Sequence, residues 1–242
     1  MTAAAGTAGQ TQEGVRLSVG FLALVVLGIA ALTTLGIWQL ERREWKLALI
    51  ERVEQRVHAQ PVPAPERAVT AAEDEYRHVR LEGRYLDSPA ALVQAVTELG
   101  GGYWVLAPFR TADGFTVLVN RGFVPPEEKN GAALLPPAET EVIGLLRLSE
   151  PKGGFLRTND PGQDRWYSRD TAAIGAARGI NGVADYFVDA DAAPVTWPRG
   201  GLTLIAFPNN HLVYALTWFS LALMLAAGTI AAGRKPPSHK RI

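Results

Sequence analysis

No cysteine occurs in this 242-residue sequence. Disulfide staples, zinc–thiolate sites, iron–sulfur clusters and thiol nucleophiles are thereby excluded. Methionine is nearly as scarce: Met1 and Met224 are the only two, so the soft ligands that favour copper are missing as well. Net charge is also absent, because 24 Lys and Arg balance 24 Asp and Glu. A nucleic-acid binder needs a basic surface to displace counterions from phosphates, so no nucleic-acid partner is expected. The four histidines, His58, His78, His211 and His239, are scattered without a close acidic or histidine neighbour that would suggest a metal cluster. G-x-S-x-G, a P-loop, G-x-G-x-x-G after a strand and H-E-x-x-H are all missing. Glu73 and Glu75, flanking Asp74, read as a solvated turn rather than an acid/base pair. The expectation is a protein that is not an enzyme.

What is present is hydropathy. Between Arg16 and Glu41 lie 24 residues without a formal charge, LSVGFLALVVLGIAALTTLGIWQL, and between His211 and Arg234 lie 22 more. About 20 helical residues cross a hydrocarbon core, so each segment is long enough. The first is too long for a signal-peptide core, is followed by no clear A-x-A site and closes on Glu41-Arg42-Arg43. Two transmembrane helices follow. The tail with Arg234, Lys235, Lys240 and Arg241 puts the C-terminus in the cytoplasm by the positive-inside rule. Arg42, Arg43 and Lys46 against Arg16 point the other way. Two spans put both termini on one side, and a long intervening domain translocates largely regardless of charge. The C-terminal tail therefore decides.

The expected organisation is a cytoplasmic N-terminal tail (1–16), a first span (17–40) and an amphipathic helical stem (41–60). An extracytoplasmic β-rich domain (61–210), a second span (211–233) and a basic cytoplasmic tail (234–242) follow. The stem repeats apolar residues at Leu47, Ile50, Val53 and Val57 and stops at Pro61–Pro65. Beyond it the period becomes two: Val79, Leu81, Gly83 and Tyr85 alternate with His78, Arg80, Glu82 and Arg84. ALVQAVTE, GYWVLAPFR, FTVLVNRGFV, EVIGLLRL and ADYFVDA are further strands. Thr111-Ala112-Asp113-Gly114 is a hairpin turn, and a short helix starts after Asp170. Asn120-Arg121-Gly122 is expected to interrupt its strand, with Gly122 permitting a bulge or close backbone approach. The fold class is a membrane protein of α+β type, two transmembrane helices flanking a mostly antiparallel-β domain.

The second span opens with His211, and Tyr214 and Trp218 follow at i+3 and i+7, on nearly one helical face. An imidazole at membrane depth is a potential iron ligand, whereas an interfacial aromatic belt explains the same residues. Taken alone, they favour the belt. Gln39, Arg42 and Lys46 share another face, at the same bilayer level. Arg42 offers a planar fork for a carboxylate, or simply snorkels to lipid phosphates. Arg121 is a surface charge or faces the helix ends. Convergence of both helices favours a shallow amphiphile site between them.

Four stretches carry a resemblance: LGIWQLERREWKLALI, YRHVRLEGRY, GYWVLAPFRTADGFTVLVNRGFVP and PNNHLVYALTWFSLALML. In this order, over about residues 35–225, they resemble the Surfeit-locus family of cytochrome c oxidase assembly factors. Gly36, Trp38, Gln39 and Arg42 match one family pattern, and Asn120 to Pro125 match another, with Phe123 replacing a tryptophan. The resemblance implies a non-enzymatic factor that binds haem a transiently and aids its insertion into the catalytic subunit of a haem–copper oxidase. Haem a synthase is a further candidate partner. It also implies His211 as ligand to the haem iron, Tyr214, Trp218 and Trp38 flanking the porphyrin, and Gln39, Arg42 and Arg121 at its polar edge. The location expected is a bacterial inner membrane, with the central domain periplasmic. The alternative is a haem-independent scaffold that stabilises a nascent oxidase subunit, its small residues such as Gly28 and Gly228 allowing close helix contacts.

Overall fold

The computed structural model describes residues 17–132, 139–151, 153–154, 157–192, 197–203 and 207–234. The N-terminal tail with Arg16, and Lys235, Lys240 and Arg241 of the basic tail, lie outside the described residues. The chain divides into two compact units, Met1–Leu49 with Phe207–Ile242, and Ile50–Ala206.

The first unit is a pair of helices. Helix α1 runs Val19–Val57, its apolar first half continuing without a break into the charged stem and ending before Pro61. Helix α4 runs His211–Gly233. Both are long and apolar enough to cross a membrane. Gly28 lies against Leu225, Gly36 against Phe219 and Gln39 against His211, so the helices are antiparallel. Val25, Ala215 and Ala222 are buried along the seam. Without a hydrophobic drive in lipid, such small residues bring backbones close enough for dispersion contacts to hold the pair.

The second unit is built on strands β1 (Val62–Pro63), β2 (His78–Tyr85), β3 (Ala91–Thr97), β4 (Gly100–Thr111), β5 (Thr116–Val124), β6 (Glu139–Leu148) and β7 (Val183–Ala190). Helices α2 (Lys129–Ala132) and α3 (Thr171–Ala177) interrupt the series. The sheet order is β1-β2-β6-β7-β5-β4-β3, and β2 also pairs with β4. That extra pairing closes β2-β6-β7-β5-β4 into a ring. All pairings are antiparallel except β1–β2 and β5–β7. Gly83 makes the closure possible, because a Cβ there would strike the Arg110 carbonyl. Val79, Leu81, Phe109, Val119 and Leu146 form one cluster, and Leu118, Trp166, Ile174 and Phe187, on the opposite face of the strands with α3, form another. Asp170 caps α3 by accepting from Ala173 N at 3.0 Å.

Three expectations need correction. The Asn120-Arg121-Gly122 stretch does not break β5, which is continuous, but it holds the expected bulge: Trp104 pairs with Phe123 and Leu106 with Asn120, so Arg121 and Gly122 together face the single residue Val105. Gly122 serves the bulge and a close approach alike, its φ of 126° and the Arg199 carbonyl leaving no room for a Cβ. Second, the acidic turn is not simply solvated. Asp74 is completely buried, held by Arg67 at 2.7 and 2.9 Å and by Thr70 N at 3.0 Å. Period counting treats an isolated acid as surface, yet a paired one is tolerated inside. Third, Val62–Pro63, read only as a helix stop, adds a short parallel edge strand to β2.

Candidate functional site

In the helix unit, His211 is the first residue of α4 and is half-buried. Its Nδ1 lies 2.8 Å from Gln39 Oε1 of α1. An amide oxygen only accepts, so Nδ1 carries the proton and donates. The Nε2 lone pair is then presented outward. Among the described residues no hydrogen bond engages Nε2. A histidine whose second nitrogen donates to an acceptor is the arrangement that fixes tautomer and ring orientation in metal ligation.

Directly beneath, the pair is closed. A Cβ at Gly36 would lie 2.5, 2.7 and 2.8 Å from Phe219 ring atoms. The amphiphile site expected between the helices therefore has no gap at that depth, and the available surface is a flank. Each helical residue turns about 100°. Counted from the seam residues Gly36 and Ala215, Gln39 and Arg42 turn to one side of the antiparallel pair, and Trp218 and Tyr214 turn to that same side. Trp218 is half-buried, whereas Tyr214 is 55% exposed. Trp38 is turned well away from the seam and is also exposed. The Arg42 guanidinium sits 3.9 Å from the Trp45 ring centroid, and Lys46 lies over Phe207 at 5.5 Å. Asn209 Oδ1, two residues before His211, is buried without a hydrogen-bond partner among the described residues. The flank thus offers one imidazole nitrogen, aromatic faces and a cationic edge. That set suits a flat apolar group with a metal centre and an anionic margin.

Arg121 belongs to the other unit. It lies on β5, 5.6 Å from the Tyr85 ring centroid, in a recess of about 470 Å³ with Trp197. Burial pushes the Tyr85 hydroxyl up to about 12. Sequence reasoning passed over one cluster entirely, the buried Asp189 of β7 with Asn120, Arg147 and Arg169. Burial alone would raise the Glu150 carboxyl, but hydrogen bonds from Arg169 hold it below the usual range. The Asp189 cluster's one signal in sequence was an acid beside the apolar run of β7, whose other acid, Asp185, is exposed.

The sequence profile described as the SURF1 family matches residues 26–223. The chain is 36% identical over 210 residues to Surfeit locus protein 1 of Rattus norvegicus, covering 77% of this chain and 67% of the relative. The Homo sapiens protein of that name is 37% identical over 212 residues, covering 78% and 69%. A SURF1-like protein of Drosophila melanogaster is 33% identical over 212 residues, with the same coverage.

Proposed function

The chain belongs to the SURF1 family, and from that membership we propose that it serves assembly of a haem–copper terminal oxidase by holding haem a on the flank of its helix pair. The observation that carries this reading is the Gln39–His211 contact across α1 and α4. Gln39 Oε1 accepts the hydrogen bond from Nδ1–H, which would leave the Nε2 lone pair of His211 available to an iron centre. When bound, the haem supplies the iron that accepts this lone pair. Trp218 and Tyr214 provide apolar and aromatic surface beside the ligand. Arg42, stacked on Trp45, keeps its guanidinium edge available for a propionate. A single imidazole, with no second candidate ligand on the same flank among the described residues, would suit transient holding, because release would cost one coordination bond.

The acceptor of the haem is the catalytic subunit of the oxidase, and the protein acts by binding and transfer rather than by catalysis. The spans sit in a bacterial inner membrane with both termini cytoplasmic and the β unit periplasmic. His211→Ala, purified from cells that make haem a, loses most of its bound pigment. Unchanged pigment content and spectrum would overturn His211 as ligand. Haem-free wild-type protein that still co-purifies an oxidase subunit would favour the scaffold reading instead.

A further inference from the structure

Charge is sorted around the turns of α1 that follow Gly36, the glycine packed on Phe219 in the seam. Counted from Gly36 at about 100° per residue, Gln39 turns about 60° to one side, Lys46 about 80° and Arg42 about 120°. Glu41 and Glu44 fall on the other side, at about 140° and about 80°. Both acids thus turn away from the flank that carries His211, while Lys46 and Arg42 turn onto it. Each of these cations rests on a ring. Arg42 lies 3.9 Å from the Trp45 ring centroid, and Lys46 stands over Phe207 at 5.5 Å. A ring face engages the charge without taking up N–H donors, which stay open to a carboxylate. Lys46 is half-buried, as is Phe207, four residues before His211.

The flank is cationic at one end only. At 1.5 Å per residue, Arg42 lies about 4.5 Å and Lys46 about 10.5 Å beyond the Gln39–His211 contact along α1. Trp218 lies about 10.5 Å from the same contact along α4, in the opposite direction because the helices are antiparallel. One cation can hold a carboxylate in many orientations of the body behind it. Two cations one helical turn apart, both on the same side of the imidazole, hold two carboxylates of one edge and so fix its direction. A porphyrin with two propionates on adjacent corners presents such an edge, and its apolar remainder matches the Trp218 end of the flank.

Resting on the haem-holding role of this flank, we propose that Lys46 joins Arg42 in a two-point clamp for both propionates, which turns the acidic edge of the ligand toward the stem. The clamp selects a porphyrin with two free carboxylates. The test uses the full chain in phosphatidylcholine nanodiscs, titrated with iron protoporphyrin IX or with its dimethyl ester and read by absorption. Lys46→Gln is expected to weaken binding of the diacid about fivefold and Arg42→Gln about tenfold, with the ester unaffected in both. Glu44→Gln, on the opposite side of α1, should change neither titration. The clamp is overturned if Lys46→Gln binds the diacid as tightly as the unaltered chain. It is overturned equally if Lys46→Gln weakens acid and ester alike, which marks a packing role. It also fails if Glu44→Gln strengthens diacid binding as much as Lys46→Gln weakens it, since net charge alone then acts. His211→Gly separates the clamp from the axial ligand. Weaker binding of acid and ester in that variant, with no acid–ester difference at Lys46, keeps the ligand and removes the clamp. A difference that persists at Lys46 while His211→Gly has no effect upholds the clamp and removes the ligand.

Discussion

At the scale of single residues, the account turns on which hydrogen goes where. Gln39 is valued for its acceptor oxygen, which holds the Nδ1 proton of His211. Gln39→Leu is expected to weaken haem retention about 10- to 100-fold, the usual cost of losing a partner behind a ligand. Gln39→Glu, which keeps an acceptor, should retain most of it. Haem titrations of the three purified proteins make the comparison, and equal affinity for Gln39→Leu would remove the residue from the site. Asp74 supplies a different kind of test. Hydrogen bonds from Arg67 hold its carboxyl below the usual carboxylate range despite burial. A depressed native value means that its contribution is present above the unfolded value of about 3.9 and is lost as pH falls through the native value. The β unit should therefore lose stability on acidification below about pH 4. Asp74→Asn should lower stability at neutral pH and flatten that acid limb, as read from urea midpoints between pH 3 and 7. An unchanged pH profile would mean that other carboxylates dominate it.

Among elements, the helix seam makes the sharpest claim. Gly36→Leu drives a side chain into the Phe219 ring, and overpacking of this kind costs about 1–3 kcal/mol. Phe219→Ala in the same chain should restore most of the loss, which thermal unfolding in detergent would register. A Gly36→Leu protein as stable as wild type would show that the seam is packed elsewhere. The elements themselves were largely legible. Alternation in HVRLEGRY gives β2 its buried Val79, Leu81 and Gly83, and the Thr111–Gly114 turn was marked by a glycine that adopts a φ of 96°. What was not legible is how the strands close on one another. Pairing of β2 with both β6 and β4 depends on a long-range approach at Gly83 that no local period reports. The strand Val62–Pro63 was hidden for the opposite reason, because two residues are too few to show any period.

For the whole molecule, two membrane-length helices precede and follow the ring of strands along the chain, and the polar and aromatic groups on the helix flank were visible as spacings in the sequence. The His211–Gln39 contact was not, because the two residues are 172 positions apart. Spacing placed His211, Tyr214 and Trp218 on one face but left open which of them meets α1. Antiparallel packing brings His211 to Gln39 and leaves Tyr214 exposed. Nor could spacing show the Asp189 cluster, whose members come from three strands and two connecting segments. The central claim remains that one imidazole nitrogen binds the iron. It is met most directly by His211→Gly, purified from haem-a-producing cells and examined by absorption spectroscopy with and without added imidazole. The account predicts that pigment is lost in the variant and that imidazole restores both its amount and the wild-type spectrum. Pigment that is retained without imidazole, with an unaltered spectrum, would contradict it.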